Sequence, residues 1–147
     1  MDRLKVKFFV CDMWQPYVDM AQIYFPNAKI IIDKYHFIRQ VGWAIEAVRK
    51  RLQKSMPKKL RKYFKHSRRL ILTRYHRLSN EKKRECDLML LYNDDLRKAH
   101  YLKEKFYEIC QNPKYSEQRT DFWDWIKEAE SSGIPEFEKC AKTYRNW

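Results

Sequence analysis

Residues 4–33 read LKVKFFVCDMWQPYVDMAQIYFPNAKIIID, and this stretch decides the fold. Leu4 to Cys11 alternates and then runs apolar, and Ala28 to Asp33 carries three consecutive isoleucines, so both segments predict strands. Between them Tyr17, Val18, Ala21, Ile23 and Tyr24 recur at roughly helical spacing, and Pro26-Asn27 supplies a turn. A crossover of this length suits a parallel pair, so the stretch predicts a right-handed βαβ unit. Two strands cannot cover both faces and both edges of a sheet, and Ile30 to Ile32 suits an interior strand. The expectation is therefore a piece of a larger α/β sheet whose other strands lie outside this sequence.

Beyond Tyr35 the pattern is helical throughout. Phe37, Ile38, Val41, Ala44, Ile45, Val48 and Leu52 fall on one stripe of a long helix that Pro57 stops. Further helices are expected at 58–77, at 80–92 behind a Ser79 cap, at 94–111, at 117–131 and at 135–147 with Pro135 in its first turn. With 2 Gly and 5 Pro in 147 residues, the tight reversals of β-rich folds are scarce. The fold class is α/β but predominantly helical: residues 1–56 form the βαβ part and 57–147 an all-α part.

The chain is 44% hydrophobic and 16% aromatic, enough to build one core and to exclude general disorder. Cys11, Cys86, Cys110 and Cys140 are scattered without metal-ligand spacing, which excludes a zinc site and a disulfide framework and points to a reducing cytosol. No apolar run approaches the roughly 20 residues of a membrane span, and the N-terminus lacks a signal peptide, so no membrane association is expected.

Net charge is +13, and its source is local. Arg49, Lys50, Arg51, Lys54, Lys58, Lys59, Arg61, Lys62, Lys65, Arg68, Arg69, Arg74 and Arg77 fall in one window with no acid, while the remaining basic and acidic residues balance. Interleaved with Tyr63, Phe64, His66 and Tyr75, these cations can bind phosphates by counterion release, without sequence readout; the alternative is a solvated helical face.

Asp12 follows the first strand and Asp33 the second, so in a parallel pair both lie at the carboxyl ends, where open α/β sheets place their sites. Grouped carboxylates hold Mg²⁺ or Mn²⁺ for phosphoryl transfer, but an Asp there also caps the following helix, and that alternative is stronger for Asp33. His36 either orients a phosphate or an acid at this site or packs at the helix start. Lys34 and Arg39 either contact DNA backbone or are solvated. Trp123 shares a stripe with Phe122, Ile126 and Ala129 and is expected in the core, with Trp125 more open; either can stack on an unpaired base. Leu96, Ala99, Leu102, Phe106 and Ile109 form a buried stripe.

The segments VCDMWQPY (10–17), FPNAKIIIDKYHFIRQV (25–41) and AIEAVRKR (44–51) resemble a bacterial DDE transposase. Downstream, LSNEKKRE (78–85), DLRKAHYLKEKF (95–106), WDWIKEAESSGIPEF (123–137) and TYRNW (143–147) are similar to the helical insertion of insertion-sequence transposases of the IS204/IS1001/IS1096/IS1165 group. The resemblance covers essentially the entire chain. It implies a partial ribonuclease H-like core followed by a helical insertion, with three acids binding two Mg²⁺ or Mn²⁺ ions for DNA cleavage and strand transfer. Asp12 matches the second acid, and Asp33 becomes a subsidiary metal ligand. The first acid is expected upstream of Met1 and the Glu beyond Trp147, and Glu46, Glu130 and Glu136 do not stand in that motif. The chain is thus expected to be an inactive but DNA-binding fragment. Its partners are expected to be transposon ends and a second copy of the protein, in the bacterial cytoplasm. A noncatalytic basic helical nucleic-acid-binding module is the other reading, and an oligomerisation domain a third.

Overall fold

The computed structural model describes residues 2–147 and is mostly helical, with one two-stranded parallel sheet. The described residues divide into two compact units, one reaching to Gln40 and including Trp147, the other Val41–Asn146.

In the first unit, β1 (Phe8–Cys11) and β2 (Lys29–Ile32) pair in parallel, with Phe8 opposite Lys29 and Cys11 opposite Ile32. Helix α1 (Gln15–Tyr24), with proline in its first turn, makes the crossover. β1 starts later than the apolar alternation implies: the Asp2 carboxylate accepts from the Leu4 amide at 3.1 Å and winds Arg3–Lys5 into a 3-10 turn. Alternate residues of the strands point to opposite faces. Phe9 stacks on Phe25 at 5.4 Å and Cys11 is buried, whereas Phe8 (59% exposed), Val10 (63%) and Ile31 (41%) have no cover among the described residues.

The long helix α2 (Lys34–Lys54) begins in the first unit and continues into the second, where Val41, Ala44, Ile45, Val48 and Leu52 are buried as their spacing requires. The expected helix over 58–77 is broken into α3 (Lys58–His66), α4 (Arg68–Leu72) and a 3-10 turn at Tyr75–Arg77. Side chains compete with the helical ladder here: Ser67 Oγ donates to the Tyr63 carbonyl at 2.8 Å, and Thr73 Oγ1 to that of Arg69 at 2.7 Å. Helices α5 (Asn80–Tyr92), α6 (Asp94–Gln111), α7 (Tyr115–Glu130) and α8 (Pro135–Arg145) follow. Ser79 and Asn93 cap α5 and α6 by accepting from backbone amides. Gly133, at φ 73°, makes the left-handed turn between α7 and α8.

The core of the second unit is aromatic. Phe106 of α6 stacks on Tyr144 of α8 at 5.6 Å, and Trp125 of α7 meets Phe106 edge-on at 5.0 Å. Trp125 is fully buried and its indole donates to the Leu102 carbonyl at 2.8 Å, while Trp123 is 40% exposed beneath the Arg145 guanidinium. This reverses the expected order of the two tryptophans. Residues 122, 125, 126 and 129 define the buried arc of α7, and position 123 lies on its flank.

Candidate functional site

The parallel register carries Asp12 and Asp33 to the same end of the sheet, each one residue past its strand. The Asp33 amide continues the ladder by donating to the Cys11 carbonyl at 2.9 Å. The two side chains then do different things. Asp33 Oδ1 accepts from the Tyr35 amide at 2.8 Å, capping the first turn of α2. Asp12, with its side chain 56% exposed, bonds through Oδ1 to His36 Nε2 at 2.7 Å. His36 lies in the first turn of α2, so that helix aims the imidazole at the acid of the neighbouring strand and not at Asp33 three residues before it. Lys34 and Arg39 are exposed on the same helix.

Mg²⁺ and Mn²⁺ require several oxygen ligands around one point. Among the described residues no three His, Cys, Asp or Glu side chains converge in that way. Asp12 offers a carboxylate with one oxygen committed to His36, and Asp33 one committed to a helix amide, so these residues do not complete the two-metal site that the resemblance implies.

The structure sorts the basic window into cations paired within the fold and cations facing solvent. Arg49 is buried: it donates twice to Glu46 (2.7 and 3.0 Å) and once to Gln53 (2.8 Å). This departs from its expected place on a DNA-contacting surface, because its charge is matched inside the fold. Arg68 reaches the same Glu46 at 3.0 Å. Burial acts to raise the Glu46 carboxyl, but the bonds from Arg49 and the nearby guanidinium charges hold it below the usual carboxylate range. Arg51 joins Glu136 of α8 at 2.5 Å and Asp95 of α6 at 3.2 Å. Arg74 pairs with Glu104 and lies over the Tyr107 ring. By contrast Lys58, Lys59, Lys62 and Lys65 of α3, with Arg69 of α4, are exposed and have no ion-pair partner among the described residues.

Lys50, Lys54 and Arg61 come together with Gln53 around an open cleft of about 320 Å³ at the junction of α2 and α3. Arg61 Nη2 makes long bonds, 3.4 Å each, to the carbonyls of Lys54 and Met56 at the end of α2. Gln53 was not singled out by charge or motif. Its role follows from the spacing 50, 53, 54 on one helical face, which the sequence does contain.

A second polar group, without a charge-window or motif signal in the sequence, interrupts the apolar stripe of α6. Lys103 of α6 is fully buried and donates to the carbonyls of Ile71 (2.7 Å) and Thr73 (2.9 Å), with Glu104 at 2.8 Å. Burial depresses the Lys103 ammonium, opposed by Glu104. His100 one turn earlier is pushed down to about 4 by burial and then by the Lys103 charge. Cys86, 3.9 Å from His100 Nε2, is pushed up to about 11 by burial and is a thiol, not a nucleophile, at neutral pH. This cluster ties the segment after α4 to α6 and is structural.

Among the described residues no helix is long and apolar enough to cross a membrane. A family model described as a transposase, of the DDE type and ISL3 group, matches residues 1–147. The transposase for insertion sequence element IS1001 of Bordetella parapertussis is 26% identical over 151 residues, covering 97% of this chain and 36% of that relative. The chain thus spans about a third of the length of the curated relative it matches. No solved structure matches.

Proposed function

Because the chain belongs to the DDE transposase family, we propose that it forms the central part of a transposase that cuts and joins DNA ends. On this reading it supplies one catalytic carboxylate and a DNA-contacting helical body. The observation that carries the reading is the placement of Asp12 at the carboxyl end of a parallel strand, beside Asp33 and bonded to His36. Residues 1–56 are then part of a ribonuclease H-like core and 57–147 its helical insertion. The uncovered side chains of Phe8, Val10 and Ile31 support a sheet face packed against further elements of the same protein, since a parallel sheet is stable when both faces are covered.

Asp12, together with acids contributed from elsewhere in the protein, would hold Mg²⁺ or Mn²⁺, which when bound would supply Lewis-acid chemistry for phosphodiester cleavage and joining. Asp12 is the second of the three acids, and the others are contributed from outside these residues. His36 is a positioning residue: by bonding Oδ1 it fixes the Asp12 rotamer and leaves Oδ2 open. Asp33 is primarily a helix cap and a subsidiary ligand. Lys34 and Arg39, with the exposed cations from Lys50 to Arg69, contact the DNA backbone. The partners are transposon ends and a second copy of the protein, in the bacterial cytoplasm.

The second reading, a noncatalytic basic helical module, is favoured by one observation, the Asp33 cap bond, which makes that acid sufficient as structure. Both readings require DNA binding, and a fluorescent duplex measured by anisotropy tests it. Affinity is expected to be indifferent to sequence and to fall steeply with salt. Replacing Lys58, Lys59, Arg61 and Lys62 by Gln together is expected to weaken binding on the order of tenfold or more at 0.1 M salt. Unchanged affinity would remove the basic window from the function.

A further inference from the structure

We propose that the cleft formed by Lys50, Gln53, Lys54 and Arg61 is a seat for one backbone phosphodiester of DNA, distinct from the diffuse attraction of the α3 lysines; this rests on the DNA-binding reading above. Three cations line the cleft and no carboxylate does, although every guanidinium of Arg49, Arg51, Arg68 and Arg74 is matched to an acid. The donors are also held in place. Lys50 and Lys54 stand one turn apart on α2, and Arg61 is tethered by the carbonyls of Lys54 and Met56. The Gln53 carbonyl oxygen is committed to Arg49, which leaves its amide N–H groups as donors beside the three charges. A pocket with ammonium, guanidinium and amide donors and no acceptor charge fits a tetrahedral oxyanion. Cations at the end of α2 also favour that helix through its dipole, so the test must separate binding from helix stability.

The experiment measures the salt dependence of duplex binding for wild type, for Lys50→Gln, Lys54→Gln and Arg61→Gln singly and combined, and for the charge-matched set Lys58→Gln, Lys62→Gln and Lys65→Gln. Three cations on one phosphate release about one set of counterions, so the cleft triple variant is expected to lower the log–log salt slope by about 1, while each single variant, in which two cations still neutralise the phosphate, loses little of it. The α3 set is expected to lower it by nearly 3, additively. Gln53→Glu, which keeps an acceptor for Arg49, is expected to weaken binding as much as a cleft lysine variant. Additive losses of equal size in both sets overturn the seat while leaving DNA binding intact. Wild type that binds no DNA overturns the DNA-binding reading and the seat with it. Saturable shifts of the Gln53 side-chain amide with inorganic phosphate but none with duplex overturn the seat as a DNA site. Circular dichroism and urea midpoints unchanged across the variants confirm that a loss is not unfolding, and a variant that unfolds is replaced by the charge-removing Lys50→Met, Lys54→Met or Arg61→Met, for which the same slopes are expected to decide.

Discussion

At the residue scale, the side chains that matter most are those whose neighbours could not be known from their own segment. Asp12 was legible as a strand-end acid, because the apolar run before it and the isoleucines of β2 fix where the strands stop. That His36 bonds Asp12 was not legible, since it depends on the direction in which α2 leaves Asp33. Lys103 was hidden in a stripe whose other members are apolar, and only the fold shows that it closes the carbonyls of Ile71 and Thr73. Replacing Lys103 by Met leaves those carbonyls and Glu104 without their cation, and is expected to cost about 3 kcal/mol in urea unfolding. His100 gives a pH dependence with a definite sign. Its folded value, about 4, lies below the unfolded 6.5, so the unfolded chain binds a proton that the folded chain refuses. Stability is full above pH 6.5 and falls as pH drops towards 4, by about 3 kcal/mol in total. Urea midpoints between pH 7 and 5 are expected to slope downward in wild type and to flatten in His100→Gln; an equal slope in the variant would assign the effect elsewhere.

At the element scale, capping and periodicity located most helices. Ser79 starts α5 where its hydroxyl predicts, Asn93 caps α6 in the same way, and Ser79→Ala is expected to lower stability by about 1 kcal/mol, measured by chemical unfolding. After Pro57 nothing in the sequence marks a break before 77, whereas in the fold Ser67, Thr73 and Lys103 interrupt the helix by taking backbone carbonyls. Phase within α7 was also beyond the sequence: Trp123 and Trp125 flank the same apolar arc, and the space between Phe106, Phe137 and Tyr144 selects Trp125. Trp125→Ala is expected to unfold the helical unit at ambient temperature or to cost about 4 kcal/mol, whereas Trp123→Ala changes little. Matched losses at the two positions would mean that the buried arc is misassigned.

At the scale of the whole molecule, the charge and one uncovered face of the sheet are the two properties that point outward. The excess charge was legible as a window, and the Glu46–Arg49 pair by its i,i+3 spacing, but the rest of its division between acids of the fold and solvent was not, because Asp95, Glu104 and Glu136 lie outside the window in sequence and meet it only through folding. Exposed Phe8, Val10 and Ile31 leave one face of the sheet without cover among the described residues, and the chain spans 36% of its IS1001 relative. On the proposed reading Asp12 has Asp33 as its one neighbouring acid among the described residues and acts with acids contributed by the rest of the transposase. The most direct measurement is strand transfer of a transposon-end duplex by the transposase that carries this segment, comparing wild type with Asp12→Asn. Joining is expected to fall below detection while duplex binding stays within about twofold, since the substitution removes a carboxylate and no phosphate contact. Joining at the wild-type rate would contradict a catalytic Asp12.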